Sequence, residues 1–191
     1  MSAVPASQKK DWTEEELQAL PDNGFDYEVV NGELVMSPKN NFQHGDICGE
    51  LLMRLRAHAK GAKLGLVCDS STGFWMNNRN CRAPDVSFIS KARLAGLKKP
   101  TTEFFKGAPD LAIEVLSPNN SRREMEERLR DFFESGAQLV WIIDPETESA
   151  EICRSMTDRR LLGPGGELDG ENVLPGFRCK LSELFAPWPW D

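Results

Sequence analysis

Pro109-Asp110-Leu111-Ala112-Ile113-Glu114-Val115-Leu116-Ser117-Pro118 reads as a central strand, an almost continuous apolar run between two prolines. Runs of this kind are covered on both faces by the rest of the fold. Glu114 sits at its centre. Glutamate is depleted in strands and almost never fully buried without a partner. Twenty-nine residues before it, Ala83-Pro84-Asp85-Val86-Ser87-Phe88-Ile89 sets Asp85 at the start of a short β-branched and aromatic strand. Proline at 84 removes a backbone donor and holds an extended conformation, so the Asp85 carboxylate can face the sheet end. Two carboxylates brought together on neighbouring strands make a site for a hard divalent cation. Such a site is the skeleton of metal-dependent phosphodiester hydrolysis. The competing role for Glu114 is a buried ion pair with Arg82 or Arg128, and for Asp85 a turn residue following Asn77 to Asn80. Asp110 shares strand parity with Glu114 and reads as a strand-start turn residue or a supporting group.

The neighbouring segments supply the layers around that strand. Ser121 to Glu134 is a helix with Met125, Leu129, Phe132 and Phe133 as its core stripe and Gly136 just past its end. Leu139 to Ile143 is another buried strand, and Ala150 to Arg154 reads as an edge strand. His44 to Ala59 is a helix, with Ile47, Leu51 and Leu55 on one face. Lys63 to Cys68 is a strand, which Thr72 to Met76 continues after a break. Phe25 to Asn31 and Glu33 to Met36 form a hairpin about Asn31-Gly32. Thr13-Glu14-Glu15-Glu16 is a capping box that opens a short helix. These elements predict an α/β domain over 25–191, a central mixed β-sheet flanked by helices, after an N-terminal extension over 1–24 with a short helix.

Composition narrows the partners. With 191 residues, 40% hydrophobic and 28% charged, the chain buries a core without staples. No apolar stretch approaches a membrane span and Met1 to Lys10 has no apolar signal segment, so no membrane partner is expected. Five cysteines, an odd number without close pairs, point to reduced thiols and a cytoplasmic protein. With only His44 and His58 available, a metal must be held mainly by oxygen. A net charge of −7 argues against a generic nucleic-acid binder. The charge is segregated, however. Leu51 to Val67 carries Arg54, Arg56, Lys60 and Lys63 with no acid. Ser90 to Ala108 carries Lys91, Arg93, Lys98, Lys99 and Lys106 against Glu103 alone. Segregation of this kind attracts a phosphate backbone.

Four further residues border the proposed centre. Glu28 and Glu33 flank the Asn31-Gly32 turn and His44 opens the next helix, which makes them candidate outer ligands of the metal. Arg128 borders the apolar stripe of its helix and can reach toward the sheet, either as a snorkelling arginine or as an active-site charge.

These residues, in this order, resemble the Uma-two restriction-endonuclease family, a branch of the PD-(D/E)xK nuclease superfamily. The resemblance runs from about Phe25 to Phe185. It is carried by Tyr27-Glu28-Val29-Val30-Asn31-Gly32-Glu33-Leu34-Val35-Met36-Ser37-Pro38, His44, Ala83-Pro84-Asp85-Val86, the strand 109–118, Trp141-Ile142-Ile143-Asp144-Pro145 and Leu174-Pro175-Gly176-Phe177. It implies a restriction-endonuclease-like fold, Mg²⁺ or Mn²⁺ held by Asp85 and Glu114, and DNA as substrate. The superfamily's lysine, expected two residues after the glutamate, is Leu116 here, and the position that resembles its relocated equivalent is Arg128. Arginine keeps the positive charge but cannot act as a general base. The expectation is a metal-dependent DNA endonuclease with Asp85, Glu114 and Arg128 as catalytic residues. Arg54, Lys63, Lys98 and Lys99 would touch the DNA backbone, and the working assembly would be a homodimer. The alternative is a catalytically impaired nuclease fold that acts as a nucleic-acid or protein binding module.

Overall fold

The computed structural model describes residues 11–21 and 23–187. Residues 1–10 of the expected extension, Asp22, and 188–191 of the expected domain lie outside these bounds. Helix α1 (Glu14–Gln18) is short, and both halves of its capping box form: Thr13 Oγ1 accepts from the Glu16 amide at 3.3 Å, and Glu16 Oε2 from the Thr13 amide at 3.0 Å. Strands β1 (Phe25–Val30) and β2 (Glu33–Pro38) pair antiparallel around Asn31 and Gly32. Both turn residues have positive φ, 52° and 78°, as the tightest hairpin turns require.

Helix α2 (Phe42–Gly61) begins two residues earlier than the sequence pattern suggests, because Asn41 supplies the N-cap through the His44 amide. There follow β3 (Gly65–Asp69), β4 (Phe74–Trp75), β5 (Cys81–Arg82), β6 (Val86–Ser90), β7 (Phe105–Lys106) and β8 (Leu111–Val115). Helix α3 (Arg122–Glu134) is capped by Ser121, and its end is marked by Gly136 at φ 103°. Strands β9 (Leu139–Asp144), β10 (Ser149–Cys153) and β11 (Arg159–Leu162) come next. The two-stranded ribbon β12 (Glu167–Asp169) and β13 (Arg178–Lys180) and the single turn α4 (Leu181–Leu184) close the chain.

The central sheet has six strands in the order β11-β10-β9-β8-β6-β3. Strands β8 and β9 are parallel and the other pairs antiparallel, so the sheet is mixed. Ala150 to Arg154 was expected at an edge, but β10 is interior: β11 covers it, and the edges fall to β11 and β3. The segment Thr72–Met76 does not extend this sheet either. Strand β4 joins a second sheet, β2-β1-β5-β4-β7.

Alternation along the strands sorts the two faces. Leu111, Ile113 and Val115, with Leu139, Trp141 and Ile143, pack with Ile47, Leu51, Leu55 and Ala59 of α2. Ala112, Val140 and Ile142 meet Met125, Leu129 and Phe132 of α3 on the other face. Both faces of β8 are therefore sealed, which is why its sequence is apolar throughout. Each fully buried aliphatic side chain contributes roughly 1.5–3 kcal/mol. A third cluster, Leu17 with Val29, Leu34 and Cys81, fastens α1 to the second sheet. Among the described residues no helix is long and apolar enough to cross a membrane.

Candidate active site

Strand pairing brings the two acids near one another. Val86 pairs with Ile113 at the end of the β6–β8 ladder; Asp85 is the bend residue just before β6 and Glu114 the next residue along β8, and the Asp85 charge acts on Glu114. Glu114 reaches Arg128 of α3, whereas Asp85, in the bend before β6, reaches His44 of α2. Asp85 Oδ2 accepts the Val115 amide at 2.8 Å and lies 3.2 Å from His44 Nε2. Glu114 Oε1 accepts from Arg128 Nη1 at 3.0 Å. Among the described residues these are the contacts of the two carboxylates, so the second oxygen of each is uncommitted.

The electrostatics are uneven. Burial pushes the Glu114 pKa up to about 8; the Asp85 and Glu28 charges add to this, against the opposing pull of Arg128 and Arg82. Burial works against a charged Arg128, but Glu114, Glu28, Glu124 and Asp85 outweigh it and hold the guanidinium protonated. Burial likewise opposes a charged His44, and the hydrogen bond and negative charge of Asp85 more than offset it, so its pKa is raised.

Glu28, in the middle of β1, is buried and fully engaged. Its Oε1 accepts the Ala83 amide at 2.8 Å and Arg128 Nη1 at 3.0 Å. Its Oε2 accepts Arg128 Nη2 at 2.8 Å and Arg82 Nη1 at 3.3 Å. Four donors saturate this carboxylate, so the structure makes it a clamp for Arg128 and a tether for the segment leading to Asp85, where a free metal ligand was expected. Arg82 in turn donates to Asp131 of α3, which also accepts from Asn78 and Asn80. Asn80 Oδ1 accepts the Asn31 amide at 2.7 Å and so pins the hairpin turn. Four carboxylates (Glu28, Asp85, Glu114 and Asp131) face two guanidiniums and one imidazole, a surplus of negative charge that a proton or a cation must balance.

The other expected residues are elsewhere. Glu33 is exposed at the tip of the hairpin, paired with Val30, and no hydrogen bond or ion pair joins it to the cluster among the described residues. Arg54 is held by Glu50 and Glu183, each at 2.5 Å. Lys63 lies beyond the far end of α2, about 26 Å of helix from His44 at 1.5 Å per residue. Lys98 and Lys99 are exposed in the loop after β6. None of the four converges on the carboxylates.

One residue absent from the sequence expectation does converge. Cys48 Sγ lies 3.5 Å from His44 Nδ1. Ligand-type atoms of His44, Cys48 and Asp85 lie within 4.8 Å of one another. The spacing of four along α2 was its signal, since residues four apart share a helix face. Burial, with the charges of Asp85 and Glu114, keeps the Cys48 thiol protonated.

A family model described as "Uma2: Putative restriction endonuclease" matches residues 14–182. The fold is similar to the crystal structure of "a putative nuclease belonging to DUF820" from Anabaena variabilis ATCC 29413. The TM-score is 0.80 at 20% sequence identity, over 92% of this chain and 98% of that one. At that identity the likeness bears on the fold alone. Comparison with curated proteins gives no match.

Proposed function

The chain belongs to the Uma2 family, described as putative restriction endonucleases, and from that membership we propose that it hydrolyses phosphodiester bonds of DNA with a divalent metal ion. The observation that supports the reading is that the charge of Asp85 acts on the buried Glu114, each with one oxygen uncommitted, in a cluster with surplus negative charge. That donor set fits a hard divalent cation. Asp85 and Glu114 would hold it. A bound cation would supply Lewis-acid polarisation of the phosphate and lower the pKa of a nearby water.

The chain's own residues prepare that centre. The Val115 amide and His44 fix the Asp85 side chain, and Glu28 holds Ala83 in place just before it. Arg128 stays protonated and cannot be the general base. It is a fixed positive charge that orients Glu114 and offsets repulsion among the acids. We assign Lys63, Lys98 and Lys99 to the DNA backbone, with Arg54 contributing less because two glutamates already hold it. A duplex of about 8 base pairs, at 3.4 Å each, would span the distance from His44 to the far end of α2. Cutting both strands needs two centres, which a homodimer would supply. The five cysteines are free, which supports a reducing compartment such as the cytoplasm.

One observation favours a second reading, a nuclease fold that binds without cutting. Leu116 replaces the superfamily lysine, and Arg128, its substitute, is committed to Glu28 and Glu114. Nicking of supercoiled plasmid in Mn²⁺ or Mg²⁺ separates the two. Endonuclease action predicts nicking that chelator abolishes and Asp85→Asn removes. Salt-sensitive DNA binding with no nicking by the wild type in either metal would transfer the conclusion to the binding module.

A further inference from the structure

The end of α2 opposite His44 gathers cations. Ala59, Lys60 and Lys63, with Gly65 of β3 and Lys91 and Leu94 after β6, line a hollow of about 310 Å³. Small-ligand sites begin at about this size. Helix α2 ends in a Schellman motif: the Leu64 amide donates to Ala59 O at 2.9 Å and the Lys63 amide to Lys60 O at 3.3 Å. The residue after the C-cap Ala62 then takes the left-handed conformation, which favours glycine. Here that residue is Lys63, at φ 56°. The Lys91 amide donates to Leu64 O at 2.7 Å, which sets the Lys91 backbone beside the same turn. Gly65 permits this close packing of β3 on β6, since a Cβ there would lie 2.0 Å from Ile89 O. Among the described residues no ion pair or hydrogen bond engages the three ammonium groups. Segments 51–67 and 90–102 carry no acid to neutralise them.

Lysines near a helix C-terminus also complement the helix dipole, but that end carries only about half a negative charge, so three ammonium groups leave a surplus of roughly 2.5 positive charges. A single backbone phosphate brings one negative charge; an oligophosphate brings enough to match the surplus. We propose that Lys60, Lys63 and Lys91 form an anion site for the oligophosphate chain of a small ligand, such as a nucleoside diphosphate, with Ala59 and Leu94 as an apolar wall for the rest of that ligand. The site lies at the far end of α2 from His44 and does not rest on the reading of the acids. It shares Lys63 with the backbone contact proposed above.

The probe is pyrophosphate, measured by calorimetry on the full chain in chelator, with no metal present. Lys63→Gly removes one charge and gives the left-handed turn the residue it favours, so the fold is kept. Lys60→Ala with Lys91→Ala removes the other two charges. Lys98→Ala with Lys99→Ala also removes two, from side chains that do not line the hollow. The expected results are one pyrophosphate bound per wild-type chain and an affinity about 10-fold or more lower in Lys63→Gly and in the Lys60 and Lys91 double variant. The Lys98 and Lys99 double variant should lose less than about 2-fold, because salt screens exposed charges that do not touch the ligand. No pyrophosphate binding at millimolar concentration would overturn the proposal. Equal losses in the two double variants would show a diffuse positive field in place of a site and overturn it as well. If pyrophosphate fails to bind while duplex DNA loses affinity in Lys63→Gly, the hollow belongs to the DNA backbone contact and the oligophosphate site is refuted. Without metal, none of these results bears on the reading of Asp85 and Glu114, which stands or falls on the nicking assay.

Discussion

Glu114→Gln should make the protein more stable as pH rises, although it removes a proposed ligand. The amide is isosteric and its oxygen can still accept from Arg128 Nη1, as Glu114 Oε1 does at 3.0 Å. What it loses is the charge. Burial first, then Asp85 and Glu28, raise the Glu114 pKa from the ordinary 4.5 to about 8, despite Arg128. A carboxyl whose folded-state pKa is raised contributes its full stability below the unfolded value and loses it as pH climbs to the folded value. The window is therefore pH 4.5 to about 8. Each pH unit in it costs about 1.4 kcal/mol at most, a ceiling near 5 kcal/mol. With an effective dielectric near 20 at buried sites, a change of about 2–3 kcal/mol is expected. Gln has no proton to lose, so the gap between variant and wild type should open by that amount between pH 5 and pH 8. The raised pKa of His44 acts in both proteins and cancels in the difference. Urea unfolding at several pH values, in chelator, gives the gap directly. A gap that stays constant with pH would mean Glu114 is ionised in comfort beside Arg128, and the charge-surplus argument would fail. Mn²⁺ should invert the ranking: at 100 times Kd it adds about 2.7 kcal/mol to wild type and far less to the variant.

Three further outcomes follow from the same contacts. Glu28→Ala leaves Arg82 and Arg128 without their shared partner and should cost about 3–5 kcal/mol in a denaturant melt, whereas Glu33→Ala, on an exposed tip, should stay within about 0.5 kcal/mol. Arg128→Lys keeps the charge but cannot span Glu28 bidentately and reach Glu114 as well; a loss of about 2–3 kcal/mol is expected for the missing charged hydrogen bonds, and an unchanged melting curve would show that the clamp does not form. Replacing Lys63, Lys98 and Lys99 by alanine should lower the slope of log K against log salt by about 0.9 for each phosphate contact removed, as read from fluorescence anisotropy with duplex DNA, while an unaltered slope would move the DNA face elsewhere.

The parts of this fold that can be read from the chain are those with a period. Strand β8 and the helices α2 and α3 announce themselves because sealed faces demand apolar residues at fixed spacing, and the same helical angle places Arg128 beside the core stripe of α3. The second sheet is legible only in its β1–β2 hairpin, through the Asn31-Gly32 turn. Three of its strands are two residues long, too short to show alternation. The edge strand β11 carries no apolar alternation, since two of its four residues are Arg159 and Arg160. Within the site, the nearness of Asp85 to the strand that carries Glu114 is legible from an acid placed just before one apolar strand and another inside the next, and Asp85 does accept the Val115 amide. The saturation of Glu28 is not, since its donors Ala83, Arg82 and Arg128 come from 55, 54 and 100 residues away. Asp131 looks like one more charge on a solvated helix until Asn78, Asn80 and Arg82 are folded against it.

The central claim is that Asp85 and Glu114 share one divalent ion. Anomalous diffraction from a crystal soaked in Mn²⁺ tests it most directly. The account predicts one strong peak bonded to an oxygen of Asp85 and an oxygen of Glu114, at about 2.0–2.3 Å from each. A peak that touches only one of them, or none at saturating Mn²⁺ with both carboxylates ordered, would contradict it.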